Sequence, residues 1–149
     1  IMEALQEGKS LALVSDAGTP TISDPGVLLV DRVRNELPDV KIIALPGASA
    51  LVTALSASGI TSAQFTFFGF LPHKKGRETV FKKIAESETT SVFYESVHRI
   101  EKTLESLAVL LNTHRQIVIA REITKIHEEV LRGSAQDIKK YFGGATNKK

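Results

Sequence analysis

The chain has 149 residues, enough for one sizeable hydrophobic core. With 42% hydrophobic and 24% charged residues it has an ordinary globular composition, and a net charge of +2 is too small by itself to argue for nucleic acid. Cysteine is absent, excluding disulfides and thiolate metal sites, and no apolar run approaches the ~18 residues of a membrane-spanning helix.

Ile1 stands where a start methionine would, inside a short helical pattern (Met2, Leu5) that Gly8 stops. We therefore expect a piece of a longer chain, with an N-terminal part missing. Gly8-Lys9-Ser10 is not the end of a phosphate-binding P-loop, because position 3 is Glu3 where that pattern needs glycine. Leu11-Ala12-Leu13-Val14 reads as a buried strand, and Val27–Glu36 as a helix with Val27, Val30, Val33 and Leu37 on one face. Between them lies Ser15-Asp16-Ala17-Gly18-Thr19-Pro20-Thr21-Ile22-Ser23-Asp24-Pro25-Gly26. Ligands bind outside the carboxyl ends of strands in open α/β sheets, so this loop is either a rigid ligand-binding loop or an ordinary connection.

Leu37-Pro38-Asp39 ends the helix, and Lys41-Ile42-Ile43-Ala44-Leu45 is a second expected strand. Pro46-Gly47-Ala48-Ser49-Ala50 leads into a helix over Leu51–Ser58, with Ser49 placed as its N-cap. Phe65-Thr66-Phe67-Phe68-Gly69-Phe70 alternates like a strand, and its phenylalanines are expected in the core rather than as a base-stacking platform. Leu71-Pro72-His73-Lys74-Lys75-Gly76-Arg77 opens the most basic stretch, with Lys82 and Lys83 following and Glu78 the single acid. That charge suits a solvated helix face or a phosphate contact.

Val80, Phe81, Ile84 and Ala85 form the inward face of the next helix, and Ser91-Val92-Phe93-Tyr94 is a strand. Glu95–Arg99 turns into a helix with an apolar stripe of Val97, Ile100, Leu104, Leu107, Ala108 and Leu111. Gln116–Ala120 is a strand ending in Arg121–Glu129, and Val130–Ser134 leads to a last helix with a capping box at Ser134 and Asp137. Gly143–Lys149 is expected to be a flexible basic tail. His127-Glu128-Glu129 lacks the second histidine of a zincin, and no Gly-x-Ser-x-Gly elbow occurs, so no metal site is expected.

The Ser15–Gly26 loop resembles the signature loop of the ribosomal RNA branch of the tetrapyrrole methylase superfamily, the class III S-adenosylmethionine-dependent methyltransferases. Porphyrin-precursor methylases carry a Gly-Gly-Asp-Pro version, which Asp16-Ala17-Gly18-Thr19-Pro20 is not. Pro46-Gly47-x-Ser49-Ala50 is similar to a second cofactor-contacting turn, and Leu71-Pro72-x-Lys74-Lys75-Gly76 to a basic segment of that branch. Phe93-Tyr94-Glu95-Ser96-x-His98-Arg99 also matches, with Val97 where proline is usual, as does Arg121-Glu122-Ile123-Thr124-Lys125.

The resemblance implies an α/β chain of two-domain class III architecture. Residues 1–47 would be the end of the first α/β domain, and 48–149 most of a second αβα domain lacking its final strand. It further implies methyl transfer from S-adenosylmethionine, released as S-adenosylhomocysteine, to a cytidine ribose 2′-hydroxyl of 16S rRNA. The cofactor would lie between the domains, held by Ser15, Asp16, Ala17, Gly18, Thr19, Ile22, Ser23, Ser49, Ala50, Tyr94, Glu95, Ile119 and Ala120. Glu95, Glu122 and His98 are candidates for the base or for orienting the ribose. Lys74, Lys75, Arg77, Arg99, Arg121 and Lys125 are candidates for holding RNA phosphates. The implied partner is the small ribosomal subunit, with a homodimer in the bacterial cytoplasm and no membrane. Cutting the first domain would expose the edges of the strands at 11–14 and 41–45, so self-association is expected. Two alternatives stay open: methylation of a tetrapyrrole or other small molecule, and a non-catalytic nucleotide-binding or dimerisation module.

Overall fold

Wherever apolar residues step by three and four along the sequence, the backbone is helical. In a computed structural model, which describes residues 1–144, the helices are α1 (Met2–Gln6), α2 (Gly26–Glu36), α3 (Ala50–Ser58), α4 (Arg77–Glu86), α5 (Ile100–Leu110) and α6 (Ala135–Gly144). The strands are β1 (Phe65–Phe70), β2 (Thr90–Tyr94), β3 (Ile117–Arg121) and β4 (Glu129–Gly133). The chain is mixed α/β, and it divides into two compact units, Ile1–Ala50 and the part from Leu51 onward.

In the first unit, α1 ends in a Schellman motif. Gly8 takes φ +80°, its N–H bonds Leu5 O, and the Lys9 N–H bonds Ala4 O. Helix α2 begins where Asp24 Oδ1 accepts the Gly26 N–H at 2.7 Å. The strands expected at 11–14 and 41–45 are not formed: neither run joins a ladder among the described residues. Val14 and Leu45 are 81% and 79% exposed. A strand is defined by a neighbour that takes its N–H and C=O groups, and apolar character alone does not provide one.

In the second unit, β1 and β2 run parallel, joined through α4 as parallel pairing requires. Their register shifts between Phe67 and Phe70, where Gly69 takes φ +62° and inserts a bulge. Strands β3 and β4 pair antiparallel, from Ile117 opposite Gly133 to Arg121 opposite Glu129. The sequence reading missed β4, because Glu129 and Arg132 interrupt its apolar residues. The core gathers Leu71, Phe81, Ile84, Leu107, Leu111 and Ala135, with Phe68 and Phe93 packed against it. Ser134 and Asp137 do form the expected cap of α6, with Ser134 Oγ accepting the Asp137 N–H at 3.2 Å.

Two further expectations are corrected. The phenylalanines of β1 are not all core: Phe68 packs inward, whereas Phe65 and Phe70 stay exposed, because the Gly69 bulge breaks the alternation and β1 has one ladder neighbour. Gly143 and Gly144 continue α6 rather than opening the tail, and residues 145–149 lie outside the described part.

Candidate active site

The signature loop is held by its own hydroxyls. Ser15 Oγ donates to Ala17 O at 2.9 Å, and Thr19 Oγ1 donates to Ala48 O at 3.0 Å. The second bond ties the loop to the Pro46–Ala50 turn, so two segments picked out by resemblance meet within the first unit. Gly18 takes φ +75°, and a Cβ there would meet nothing nearer than Ala48 O at 3.8 Å. A side chain is therefore disfavoured by backbone conformation rather than by crowding, and the open side leaves room for a ligand against the main chain. Asp16, Ala17, Gly18, Ile22, Ser23 and Ala50 are exposed; Ser15, Thr19 and Ser49 are half-buried.

Backbone strain marks the same places. Among the described residues the non-glycine positions with positive φ are Thr21 (73°), Ser23 (55°), Glu122 (50°) and Thr124 (67°). The first two lie in the signature loop and the others in the segment after β3. Each such residue costs of order 1–3 kcal/mol and persists only where its surroundings hold it.

The second unit presents the carboxyl end of the β1/β2 pair. Leu71 continues β1 with its N–H toward Tyr94 O at 3.4 Å, which sets the basic loop beside Glu95. The Glu95 side chain is only 3% exposed. Its Oε2 accepts from Arg77 Nη2 at 3.0 Å and Thr103 Oγ1 at 2.7 Å. Its Oε1 meets Arg99 Nη2 at 2.6 Å and accepts the Ser96 N–H at 2.8 Å. Burial pushes the Glu95 carboxyl up, but the Thr103 hydroxyl, the Ser96 amide and the two guanidinium groups outweigh it and hold it below the usual range. The guanidiniums reach onward: Arg77 Nη1 donates to Pro72 O at 3.0 Å and Arg99 Nη1 to Leu71 O at 2.9 Å. The buried Arg99 Nε has no partner among the described residues. Tyr94 lies against both phenylalanines flanking the bulge, with ring centroids 5.1 Å from Phe67 and 5.3 Å from Phe70.

Ile119 and Ala120 are half-buried in β3, opposite Leu131 and Val130. Beyond them Glu122 and Lys125 pair at 3.3 Å at exposed positions, which is worth little to stability, and Arg121 pairs with half-buried Glu129 at 2.8 Å.

Of the six expected phosphate contacts, Arg77, Arg99, Arg121 and Lys125 thus have carboxylate partners. Lys74 and Lys75 are exposed and have none among the described residues. Of the three candidate bases, Glu95 is enclosed, Glu122 is exposed beside Lys125, and His98 is exposed. Thr103 was missed by the sequence reading, although a threonine beside Leu104 on the apolar stripe of α5 was the available signal. It is fully buried.

Over residues 1–139 the chain matches the family model described as Tetrapyrrole (Corrin/Porphyrin) Methylases. The chain belongs to that family. Relatives of this tetrapyrrole methylase include proteins named Ribosomal RNA small subunit methyltransferase I. The one from Pasteurella multocida is 46% identical, over 99% of this chain and 52% of its own length. The one from Haemophilus influenzae is also 46% identical, over 95% of this chain and 50% of its own. The chain therefore spans about half the length of the curated relatives it matches. A solved structure, the methyltransferase CobJ, superposes with a TM-score of 0.68 at 22% identity, over 91% of this chain and 61% of that one. That likeness supports the fold.

Proposed function

We propose that the complete protein is an S-adenosylmethionine-dependent methyltransferase that modifies a ribose 2′-hydroxyl of small-subunit ribosomal RNA, a cytidine of 16S rRNA. It would act in the cytoplasm as a homodimer, as in the branch its motifs resemble. The observation that carries the RNA reading is Lys74 and Lys75, an exposed pair with no carboxylate partner among the described residues, beside the carboxyl end of a parallel strand pair. The names of the relatives point the same way.

The residues of the signature loop fit the cofactor. Gly18 keeps open space on its Cβ side, the Thr19–Ala48 bond fixes the loop to the second turn, and small residues at Ala17 and Ser49 let main chain approach a ligand. Bound there, S-adenosylmethionine supplies a methyl group on a good leaving group. The chain's own work is positional. Lys74 and Lys75 neutralise phosphates and set the register of the RNA without reading its bases. The ribose hydroxyl is a poor nucleophile at neutral pH, so its proton needs an acceptor, and exposed His98 and Glu122 are the groups to test first.

The deciding experiment incubates the complete protein with labelled S-adenosylmethionine and unmodified small ribosomal subunits, then maps the label. Label on one ribose 2′-hydroxyl is expected. Cofactor binding without RNA label would favour the small-molecule alternative, and no cofactor binding would leave a non-catalytic module.

A further inference from the structure

We propose that Glu95 is a positioning residue for the RNA-contacting loop: through Arg77 and Arg99 it fixes the loop that carries Lys74 and Lys75, and it takes no proton during methyl transfer. The inference rests on the RNA reading above and changes the role of three residues within it.

A general base needs a free lone pair within reach of the substrate proton. Glu95 offers neither, since both oxygens already accept two donors each and its side chain is shielded from solvent. A buried carboxylate with two guanidiniums and a hydroxyl is instead a fixed joint, whose geometry is specified by several bonds at once. Each guanidinium uses its planar fork in two directions. Arg77 spans from Glu95 to Pro72 O, and Arg99 from Glu95 to Leu71 O. The carbonyls so held are the first two of the basic loop, directly after the Gly69 bulge. Arg77 also lies over the Phe81 ring, 4.9 Å from its centroid, which roots the loop's far end on the core. His73, Lys74, Lys75 and Gly76 are then the exposed span between two anchored ends. Pre-ordering that span means RNA binding does not have to order it, which lowers the entropic cost of association. Arg77 and Arg99 are on this account internal anchors, and the phosphate contacts of this loop fall to Lys74 and Lys75.

The test is Glu95→Gln in the complete protein, read in two ways. Hydrogen exchange of the Leu71 and Arg77 amides, which bond Tyr94 O and Lys74 O at the two ends of the loop, and trypsin cleavage after Lys74 and Lys75 report the loop directly, without RNA. We expect exchange there to rise about tenfold or more while the core amides near Leu104 keep their protection. In methyl transfer we expect KM for RNA to rise about tenfold with kcat within about twofold, and a pH profile keeping the ionisations of the parent. Loss of kcat by about a hundredfold at unchanged KM, with one ionisation gone, would make Glu95 the base and overturn the proposal. Unchanged loop exchange, or a released loop with unchanged KM, would overturn it as well. If Glu95→Gln does not fold, Arg77→Gln decides, because it keeps the Glu95–Arg99 pair and removes the tie to Pro72. It should free the same amides, and a loop as protected as the parent's would refute the clamp. A parent that methylates no RNA, with the loop released in both variants, would refute the RNA reading and leave the clamp in place.

Discussion

In the first unit Val33 is the one hydrophobic side chain that reaches full burial among the described residues, whereas the second unit buries Leu71, Phe81, Ile84, Leu104, Leu107 and Ile138. The first unit carries the longest family motif and the second the hydrophobic core. The signature loop is held by hydroxyl and turn bonds of exposed or half-buried groups, from Ser15 to Ala17 and Gly26 to Asp24 within it and from Thr19 to Ala48 further along the chain. The loop after β1 is set by a buried charge, through Glu95 and Thr103, which lie 18 and 26 residues beyond Arg77. Motif loops can therefore be prepared in two ways, by hydroxyl and carboxylate bonds near the surface or by a buried ion-pair joint. The two should fail differently.

The sharpest way to break this contrast is at Gly18. Gly18→Val with Asp16→Ala places a β-branched side chain at φ +75° and should lower affinity for S-adenosylhomocysteine at least about a hundredfold, while circular dichroism shows a folded chain. Unchanged affinity by calorimetry would remove the signature loop from the site. Next in size, Phe81→Ala should cost about 3–5 kcal/mol in denaturant unfolding, whereas exposed Leu28→Ala in the first unit should stay within about 0.5 kcal/mol. Equal costs would mean that the first unit is held by apolar packing after all.

A third prediction concerns pH. The folded pKa of Glu95 lies below its unfolded value, so the stability it confers is present above the unfolded pKa, about 4.3, and is lost as pH falls through the folded value. Acid unfolding followed in the parent and in Glu95→Gln should show the parent losing more stability below about pH 4. Parallel acid curves would contradict the charged joint. Smaller still, Ser134→Ala should cost about 1 kcal/mol through loss of the α6 cap. Smallest on stability, Lys74→Ala with Lys75→Ala should change unfolding by less than about 0.5 kcal/mol. The same pair should flatten the slope of log affinity against log salt for RNA by about 1.4–1.8. An intact slope would return that loop to a solvated surface.

Sequence periodicity located the helices to within a few residues, because a three-and-four apolar step is a local property, and it located β1, β2 and β3 as apolar or aromatic runs between turn residues. It also pointed to strands at 11–14 and 41–45 that join no ladder, and it passed over β4. Both errors have one origin: a strand exists through its neighbour, and the neighbour is not written in the run itself. The candidate site divides the same way. Ser15, Gly18 and Thr19 became candidates through the resemblance of their loop to the family's signature, which is a contiguous run of sequence. The enclosure of Glu95 was not legible in any such run, since Arg77, Arg99 and Thr103 converge on it only once the β1/β2 pair and α5 have packed. Sequence alone determined which segments are candidates for chemistry, because turn residues and charges can be read where they stand. Tertiary structure decided which charges are free to act, because a charge is neutralised by whatever folding brings within about 4 Å of it.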